Sequence, residues 1–554
     1  MAFRNQQQPS GGIVPQWDPL VGQKKNKAGG YSYEVTDEVR LQRFLILGSE
    51  GGTYYTSETE LKRENVQSID RLIMSNRGED VVNLIKDVSV NGRSCKQSTT
   101  IYALAVCARS NDVKTKNAAY RALVDVCRIP THLFEFVKYC ENESAGTGWG
   151  RAHRVAIGKW YNKNKYKNKP VELARHVTKY QSRHSWSHRD VLRLAHVKPE
   201  TQAISRVIRY IVKGLSEARS DSMPMDDNGE VQGVLDFLEA VESGKKCTKS
   251  EIAKMRELIA THDLAREHVP TSMLDSVEIW DVLFRQMPMT AMIRNLGKMS
   301  NLGMFNSDSN PLYVDLVVKK LTDSENLKNA KVHPFTILVA WYQYQAGQGD
   351  KGKLSWPVNN KIVQALECGF YQAFRYVAPT EKRYLLAVDV SGSMTAPVVG
   401  SSSITCRDAA TAMMLLTLKT ERQQCDVMAF SDNFTQLDIT ENDTMKSAID
   451  TCSRLPFSRT DCSLPMKYAM EKKKRYDVFV VYTDSETFFG NIHPARALVE
   501  YRKYSGIEDA RLIVCGMATN GFSIADPSDR YMLDVVGFDT EAPRAMTAFI
   551  NGEI

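Results

Sequence analysis

The run Tyr384-Leu385-Leu386-Ala387-Val388 leads directly into Asp389-Val390-Ser391-Gly392-Ser393. Successive apolar residues followed by D-x-S-x-S read as a strand buried on both faces that ends in a polar loop. Strands of that kind belong to parallel sheets covered by helices on both sides. The last third of the chain is thereby constrained to an α/β architecture. Its acidic and hydroxyl groups stand at the carboxyl edge of the sheet, where open α/β sheets bind ligands. Magnesium takes six oxygens in near-octahedral geometry. Ser391 and Ser393 can present adjacent hydroxyls, and Asp389 adds charge directly or through a water. Two further oxygens must come from later loops. Thr460, in Ser458-Arg459-Thr460-Asp461-Cys462-Ser463, and Asp484, after Val478-Phe479-Val480-Val481-Tyr482-Thr483, are the candidates. A set dominated by hydroxyls points to binding rather than catalysis, because two-metal hydrolytic sites are built from carboxylates.

The elements around these loops alternate as a doubly wound sheet requires. Asp408 to Glu421 reads as an amphipathic helix, Asp426–Phe430 as a short buried strand and Arg511–Cys515 as the next strand. Pro494 to Tyr504 opens with proline at a helix start and carries Ala495, Leu498, Val499 and Tyr501 at helical spacing. The segment 381–554 resembles the von Willebrand factor A domain. D-x-S-x-S, Thr460 and Asp484 match the three pieces of its metal-ion-dependent adhesion site. The resemblance implies a bound Mg2+ with one open position, completed by an acidic group of a protein ligand.

Charge divides the rest of the chain. The 554 residues carry a net charge of +7. Residues 151–220 alone hold 17 Lys and Arg against 4 Asp and Glu, an excess of 13, so the remainder sums to −6. Such a block points to phosphate. Within it cations, histidines and aromatics interleave: Gly148-Trp149-Gly150-Arg151-Ala152-His153-Arg154, Lys159-Trp160-Tyr161, Arg175 to Arg183 and Trp186 to His196. Arg and Lys neutralise phosphates, while His, Trp and Tyr offer planes for unpaired bases. Lys179 and Arg183 are four apart and would share one face of a helix. Ser187 with Asp190 reads as a helix cap. In the helix that follows, Arg189, Arg193 and His196 fall on one stripe, with Val191, Leu192, Leu194 and Ala195 buried. Arg151, Arg154, Lys179, Arg183, His188, Arg189, Arg193 and His196 are the candidate RNA contacts.

From about Tyr31 to Val377 the pattern is nearly all helical. Thr99 to Arg109, Thr115 to Val126, Pro130 onward, Ile279 to Ile293, His333 to Tyr344 and Asn360 to Tyr376 each carry an apolar face. Helices of this length with short connections suggest stacked pairs, as in a solenoid. Asp221 to Glu230 is acidic and reads as an exposed loop. Residues 1–30 are polar without an apolar core and read as a disordered tail rather than a signal peptide. Eleven cysteines without zinc spacing read as free thiols in a reducing compartment. That implies a cytoplasmic address, with nuclear residence equally compatible. No stretch approaches the ~20 apolar residues of a membrane span.

Gly-Trp-Gly-Arg-x-x-Arg, Trp-Tyr-Asn, Val-Thr-Lys-Tyr and Trp-Ser-His-Arg-Asp-x-x-Arg-Leu-x-His, joined to an A domain, resemble the Ro autoantigen family. The resemblance covers about residues 31–554. It implies a TROVE domain over 31–377, built of HEAT-like helical repeats in a ring closed by the A domain. It further implies a monomeric, non-enzymatic RNA-binding protein. Y RNA would bind the outer surface, through positions matching Lys179, Arg183 and His196. The single-stranded 3′ ends of misfolded small non-coding RNAs would enter a central hole, in RNA quality control. The competing expectation is a metal-dependent adhesion scaffold in which RNA binding is incidental.

Overall fold

The computed structural model describes residues 13–554 apart from 145, 221–228, 307–310, 350–351, 375 and 457. The chain folds as two units: residues up to Ser68 together with Phe370–Ile554, and Ile69–Gly369. The first unit thus takes in the helix Asp37–Leu47, the first of the polypeptide. Of the expected disordered tail, residues 1–12 lie outside the described residues. The remainder, 13–30, is packed. Strands β1 (Gln23–Lys25) and β2 (Tyr31–Glu34) pair antiparallel, and Gln16 is fully buried. Polarity misleads here because the segment is held by hydrogen bonds rather than by an apolar face of its own.

The helical unit is built of antiparallel neighbours such as Gly78–Val90, Gln97–Arg109, Val113–Val126 and Pro130–Asn142. Asp112 caps the third of these by accepting from Thr115 N, and Pro130 opens the fourth. The expected helix Ile279 to Ile293 is two helices, Val277–Gln286 and Met289–Asn301. Pro288 separates them, since proline lacks an N–H and restricts the residue before it. A two-residue hairpin, β3 (Ser182–Arg183) with β4 (Trp186–Ser187), interrupts the helices. The ends of the array meet. Lys331 Nζ donates to Val90 O at 2.6 Å, and His333 Nε2 lies 3.2 Å from Arg93 O. The acidic loop expected at Asp221 lies, over 221–228, outside the described residues.

In the α/β unit, β5 (Tyr384–Asp389), β6 (Cys425–Phe430), β7 (Phe434–Gln436), β8 (Val478–Thr483), β9 (Arg511–Gly516), β10 (Phe522–Ser523) and β11 (Met532–Val536) follow in chain order. Six of them form one sheet in the order β11-β9-β8-β5-β6-β7, parallel except for edge strand β7. Every residue of β5 and β8 is buried. Leu385, Phe479 and Leu512 pack with Ala469, Leu498 and Tyr501 of the helices on one side. The helix Cys406–Glu421 lies against β5 and β8. It is buried almost all round, so it is a core helix rather than the amphipathic one its spacing suggested. Each such aliphatic side chain contributes about 1.5–3 kcal/mol on burial. β10 pairs with β2 and so stitches the N-terminal segment onto this unit. Arg43, in the helix Asp37–Leu47, anchors it further. Its guanidinium is 1% exposed and donates to both Asp534 carboxylate oxygens at 2.7 and 2.6 Å, and to Phe522 O at 2.8 Å.

Candidate metal centre and nucleic-acid interface

Strand β5 lies at the centre of the sheet, with β6 on one side and β8 on the other. The chain order reverses there, which opens a crevice at the carboxyl ends. Asp389 closes β5 and Asp484 follows β8, so the two carboxylates face one crevice. Asp389 accepts from Ser391 N at 2.9 Å and from Thr483 Oγ1 at 2.6 Å. Ser391 and Ser393 hydroxyls are 3.2 Å apart. Gly392 N donates to Ser458 O at 3.2 Å, which brings the Thr460 loop against the D-x-S-x-S loop. Thr460 O in turn accepts from Phe489 N at 3.1 Å. Burial and the neighbouring charge of Asp484 push the Asp389 carboxyl up to about 7. The chemistry of the set fits a hard divalent cation: two carboxylates disfavoured as a like-charged buried pair, beside three hydroxyls.

Two features were not foreseen. Glu486 is a third buried carboxylate, pushed up to about 7 by burial and by Asp484. It accepts from Lys27 N at 2.9 Å and from Asn520 Nδ2 at 3.0 Å. Asp389, Ser391, Ser393, Thr460 and Asp484 are 0, 1, 3, 1 and 5% exposed, and a small pocket borders Ser393 and Asp484.

The basic block divides into an interior and a surface. Trp160, Tyr161, Tyr166, His153, His176 and His188 are buried. Tyr161 Oη is 2.7 Å from His188 Nδ1, Tyr166 Oη is 2.8 Å from His176 Nδ1, and Trp160 Nε1 donates to Cys127 O. Burial holds His153 and His188 down at about 3, so both are neutral. His188 is therefore a structural residue and not an RNA contact, and these aromatics are not planes for bases. Lys163 is also interior. It donates to Arg128 O at 2.9 Å and lies 4.4 Å and 4.3 Å from the centres of the Trp160 and Tyr166 rings.

On the surface, the Ser187–Asp190 capping box forms as expected and starts the helix His188–Ala195. Arg189, Arg193 and His196 are exposed along it. Leu194, expected to be buried, is 41% exposed. Arg183 is exposed but sits on β3, whereas Lys179 ends the helix Pro170–Lys179. Their four-residue spacing thus does not place them on one helix. Lys179 is only 17% exposed and pairs with Glu267 at 3.6 Å. Arg151 and Arg154 are exposed on the helix Arg151–Tyr161, which packs against His188–Ala195. Arg151, Arg154, Arg183 and Arg193 have no carboxylate partner among the described residues.

The helical unit also carries an open cavity of about 580 Å³. Arg266, Arg294 and Lys298 line it, together with Trp280, Tyr344 and Trp356. Arg266 and Arg294 are exposed. Gly297 is required at its wall, because a Cβ there would stand 2.7 Å from the Trp356 ring. Arg294, Gly297 and Lys298 share the helix Met289–Asn301, while Arg266, Trp280, Tyr344 and Trp356 come from other segments.

The TROVE domain matches this chain over residues 24–343, more than half its length, and the Ro60 vWA domain matches over 383–550. The chain belongs to the Ro60 family. It is 41% identical to the RNA-binding protein RO60 of Caenorhabditis elegans, over 96% of this chain and 91% of that protein. It is 36% identical to the RNA-binding protein RO60 of Deinococcus radiodurans, over 96% of each. The crystal structure of the Deinococcus radiodurans RO (RSR) protein superposes with a TM-score of 0.65 at 34% identity, covering 94% of this chain and all of that one. A helical TROVE region followed by a von Willebrand factor A domain, as expected from the sequence, is the fold of this family; the sheet is mixed rather than wholly parallel, because edge strand β7 runs antiparallel. Among the described residues no helix is long and apolar enough to cross a membrane.

Proposed function

We propose that this Ro60-family chain is an RNA-binding protein and the scaffold of a small cytoplasmic ribonucleoprotein. It binds a structured RNA of the Y RNA type on the exposed basic face. It receives the single-stranded 3′ end of misfolded small non-coding RNA in the cavity of the helical unit, and so serves RNA quality control. The observation that carries the reading is the set of exposed arginines, Arg151, Arg154, Arg183 and Arg193, without carboxylate partners among the described residues. Cations paired within the protein gain little from phosphate; unpaired ones release counterions from RNA on contact. The cavity adds a second mode, since guanidinium and ammonium groups beside Trp280 and Trp356 suit an unpaired backbone with stacked bases.

The A-domain crevice is proposed to hold Mg2+ through Asp389, Ser391, Ser393, Thr460 and Asp484. When bound, the ion neutralises the carboxylate pair and ties together the loops after β5, before Leu464 and after β8. A donor set of two carboxylates and three hydroxyls suits one metal ion rather than a two-metal nuclease, and binding without catalysis is proposed. The adhesion-scaffold reading requires an accessible site and is not favoured by the burial of its donors.

The test is a gel shift over a salt series, with one structured RNA carrying or lacking a single-stranded 3′ tail. The proteins are wild type, R151A/R154A/R183A/R193A and R266A/R294A. The first variant should lose the structured RNA, and the second should lose only the advantage of the tail. Binding insensitive to both variants and to the tail would overturn the reading.

A further inference from the structure

The loops that carry Thr460 and Asp484 are joined through one side chain of the N-terminal segment. Gln16 is fully buried. Its Nε2 donates to Asp461 Oδ1 at 2.7 Å and to Ile492 O at 2.9 Å, and its Oε1 accepts from Thr487 Oγ1. Both amide hydrogens and the amide oxygen are thereby satisfied within the protein. The backbone is tied as well: Gln16 N donates to Gly490 O at 3.0 Å, and Gln16 O accepts from Tyr31 N at 3.1 Å. Asp461 directly follows Thr460 and also accepts from Ser463 N at 3.0 Å and Ser463 Oγ at 2.6 Å. Thr487 Oγ1 lies 3.2 Å from Thr460 O and accepts from Cys462 N at 3.4 Å. One glutamine thus spans the 460–463 loop and the 484–493 loop.

Glycine is required where these groups converge. A Cβ on Gly490 would stand 2.6 Å from both Asp461 Oδ1 and Gln16 Nε2, and one on Gly30 would stand 2.3 Å from Thr487 O. Asn26 Nδ2 adds a second tie, donating to Thr487 O at 2.6 Å. Lys27 N and Ala28 N donate to Glu486 Oε2 at 2.9 and 3.3 Å. Asn520 Nδ2 donates to Glu486 Oε1 at 3.0 Å and to Asp484 O at 2.6 Å, so the same segment reaches the backbone of Asp484 through two side chains. A buried, fully satisfied amide contributes modest net stability but fixes geometry.

We infer that Gln16 is a positioning residue for the cation site: it clamps the two loops so that Thr460 and Asp484 stand together with the D-x-S-x-S loop. Cation binding and docking of residues 13–34 are thereby coupled. The inference rests on the magnesium reading above. Magnesium demands near-ideal octahedral geometry, so a loop released from the clamp loses affinity. Linkage makes the coupling reciprocal. Whatever factor the docked segment adds to the affinity for Mg2+, Mg2+ adds to the docking of the segment.

The experiment uses the full chain and Mg2+ alone. Calorimetry measures affinity, and hydrogen–deuterium exchange follows peptides spanning residues 13–34, with strand β9 as the internal reference. In wild type, saturating Mg2+ should slow exchange in 13–34 several-fold more than in β9. Q16A should bind Mg2+ about tenfold more weakly, the lower end for loss of a partner behind a metal ligand, and should lose most of that remote protection. T487V keeps the shape of the side chain without its hydroxyl and should weaken binding in the same direction. Y33F is the control. Tyr33 Oη donates to Asp526 Oδ2 at 2.9 Å, so this variant removes a hydrogen bond of the same segment that goes to neither loop, and its affinity should equal that of wild type. Wild-type affinity in folded Q16A, or in T487V should Q16A not fold, would overturn the clamp and leave the magnesium site standing. A loss in Y33F as large as in Q16A would show general loosening and overturn the clamp too. Absence of Mg2+ binding to wild type would remove the magnesium reading and the clamp with it.

Discussion

The A-domain crevice and the basic face of the helical unit hold charge in opposite ways. In the crevice, Asp389, Asp484 and Glu486 are like charges kept from water, and their environment is fixed by backbone amides and hydroxyls. On the basic face, Arg151, Arg154, Arg183 and Arg193 are like charges left in water. A buried group must be satisfied from within the protein. An exposed one can remain unsatisfied until a ligand arrives. The first arrangement suits a small ion that becomes part of the fold, and the second a polyanion that comes and goes.

The comparison can be broken first where burial is deepest. Replacing Arg43 by Ala strands Asp534 beside β11 without its bidentate partner. Breaking a buried pair costs about 3–5 kcal/mol, so the denaturation midpoint of the α/β unit should fall accordingly while the helical unit's is little changed. An R43A protein with both midpoints intact would mean that the N-terminal segment is not anchored as described.

Acid should act on the helical unit through its interior histidines. His132, His153 and His188 are held down at about 3 by burial, against 6.5 in the unfolded chain. Between pH 6.5 and 3 the unfolded state binds protons that the native state does not, so stability falls as pH falls. At pH 5 each such histidine costs about 2 kcal/mol. Urea unfolding across pH 7 to 5 measures the slope, and His188→Asn should reduce the proton uptake by about one. A slope unchanged in that variant would show that His188 is not buried and neutral.

Smaller effects sharpen the surface side. If Arg183 and Arg193 each contact one phosphate, R183A/R193A should flatten the dependence of log affinity on log salt by about 1.4 to 1.8. Lys179→Ala should do least, because that ammonium already faces Glu267 at 3.6 Å. Equal slopes for K179A and R193A would erase the distinction between paired and unpaired cations.

Much of the crevice was legible because each of its pieces is local. A buried strand followed by D-x-S-x-S, and a second strand ending at Asp484, announce themselves within a few residues. The Ser187–Asp190 cap was legible for the same reason. The four-residue spacing of Lys179 and Arg183 suggests one helix face, but the helix ends at Lys179 and Arg183 lies in a hairpin. The split at Pro288 was missed because apolar spacing continues across it. Aromatics interleaved with cations suggest base-stacking planes, but interleaving cannot say which side of a helix faces the core. Trp160 and His188 went inward, and Arg189 and Arg193 stayed out.

By itself, the sequence determined the two kinds of architecture, the strand ends that carry the crevice and the segment that carries the excess of positive charge. These depend on periodicity and composition, which are properties of neighbours along the chain. Only the tertiary structure decided which cations remain unpaired, that Arg266 and Arg294 share one cavity, and that a polar N-terminal segment packs on the loops of the crevice. Those are contacts between residues tens to hundreds of positions apart. Long-range packing selects them after local preferences are spent, and no spacing along the chain encodes them.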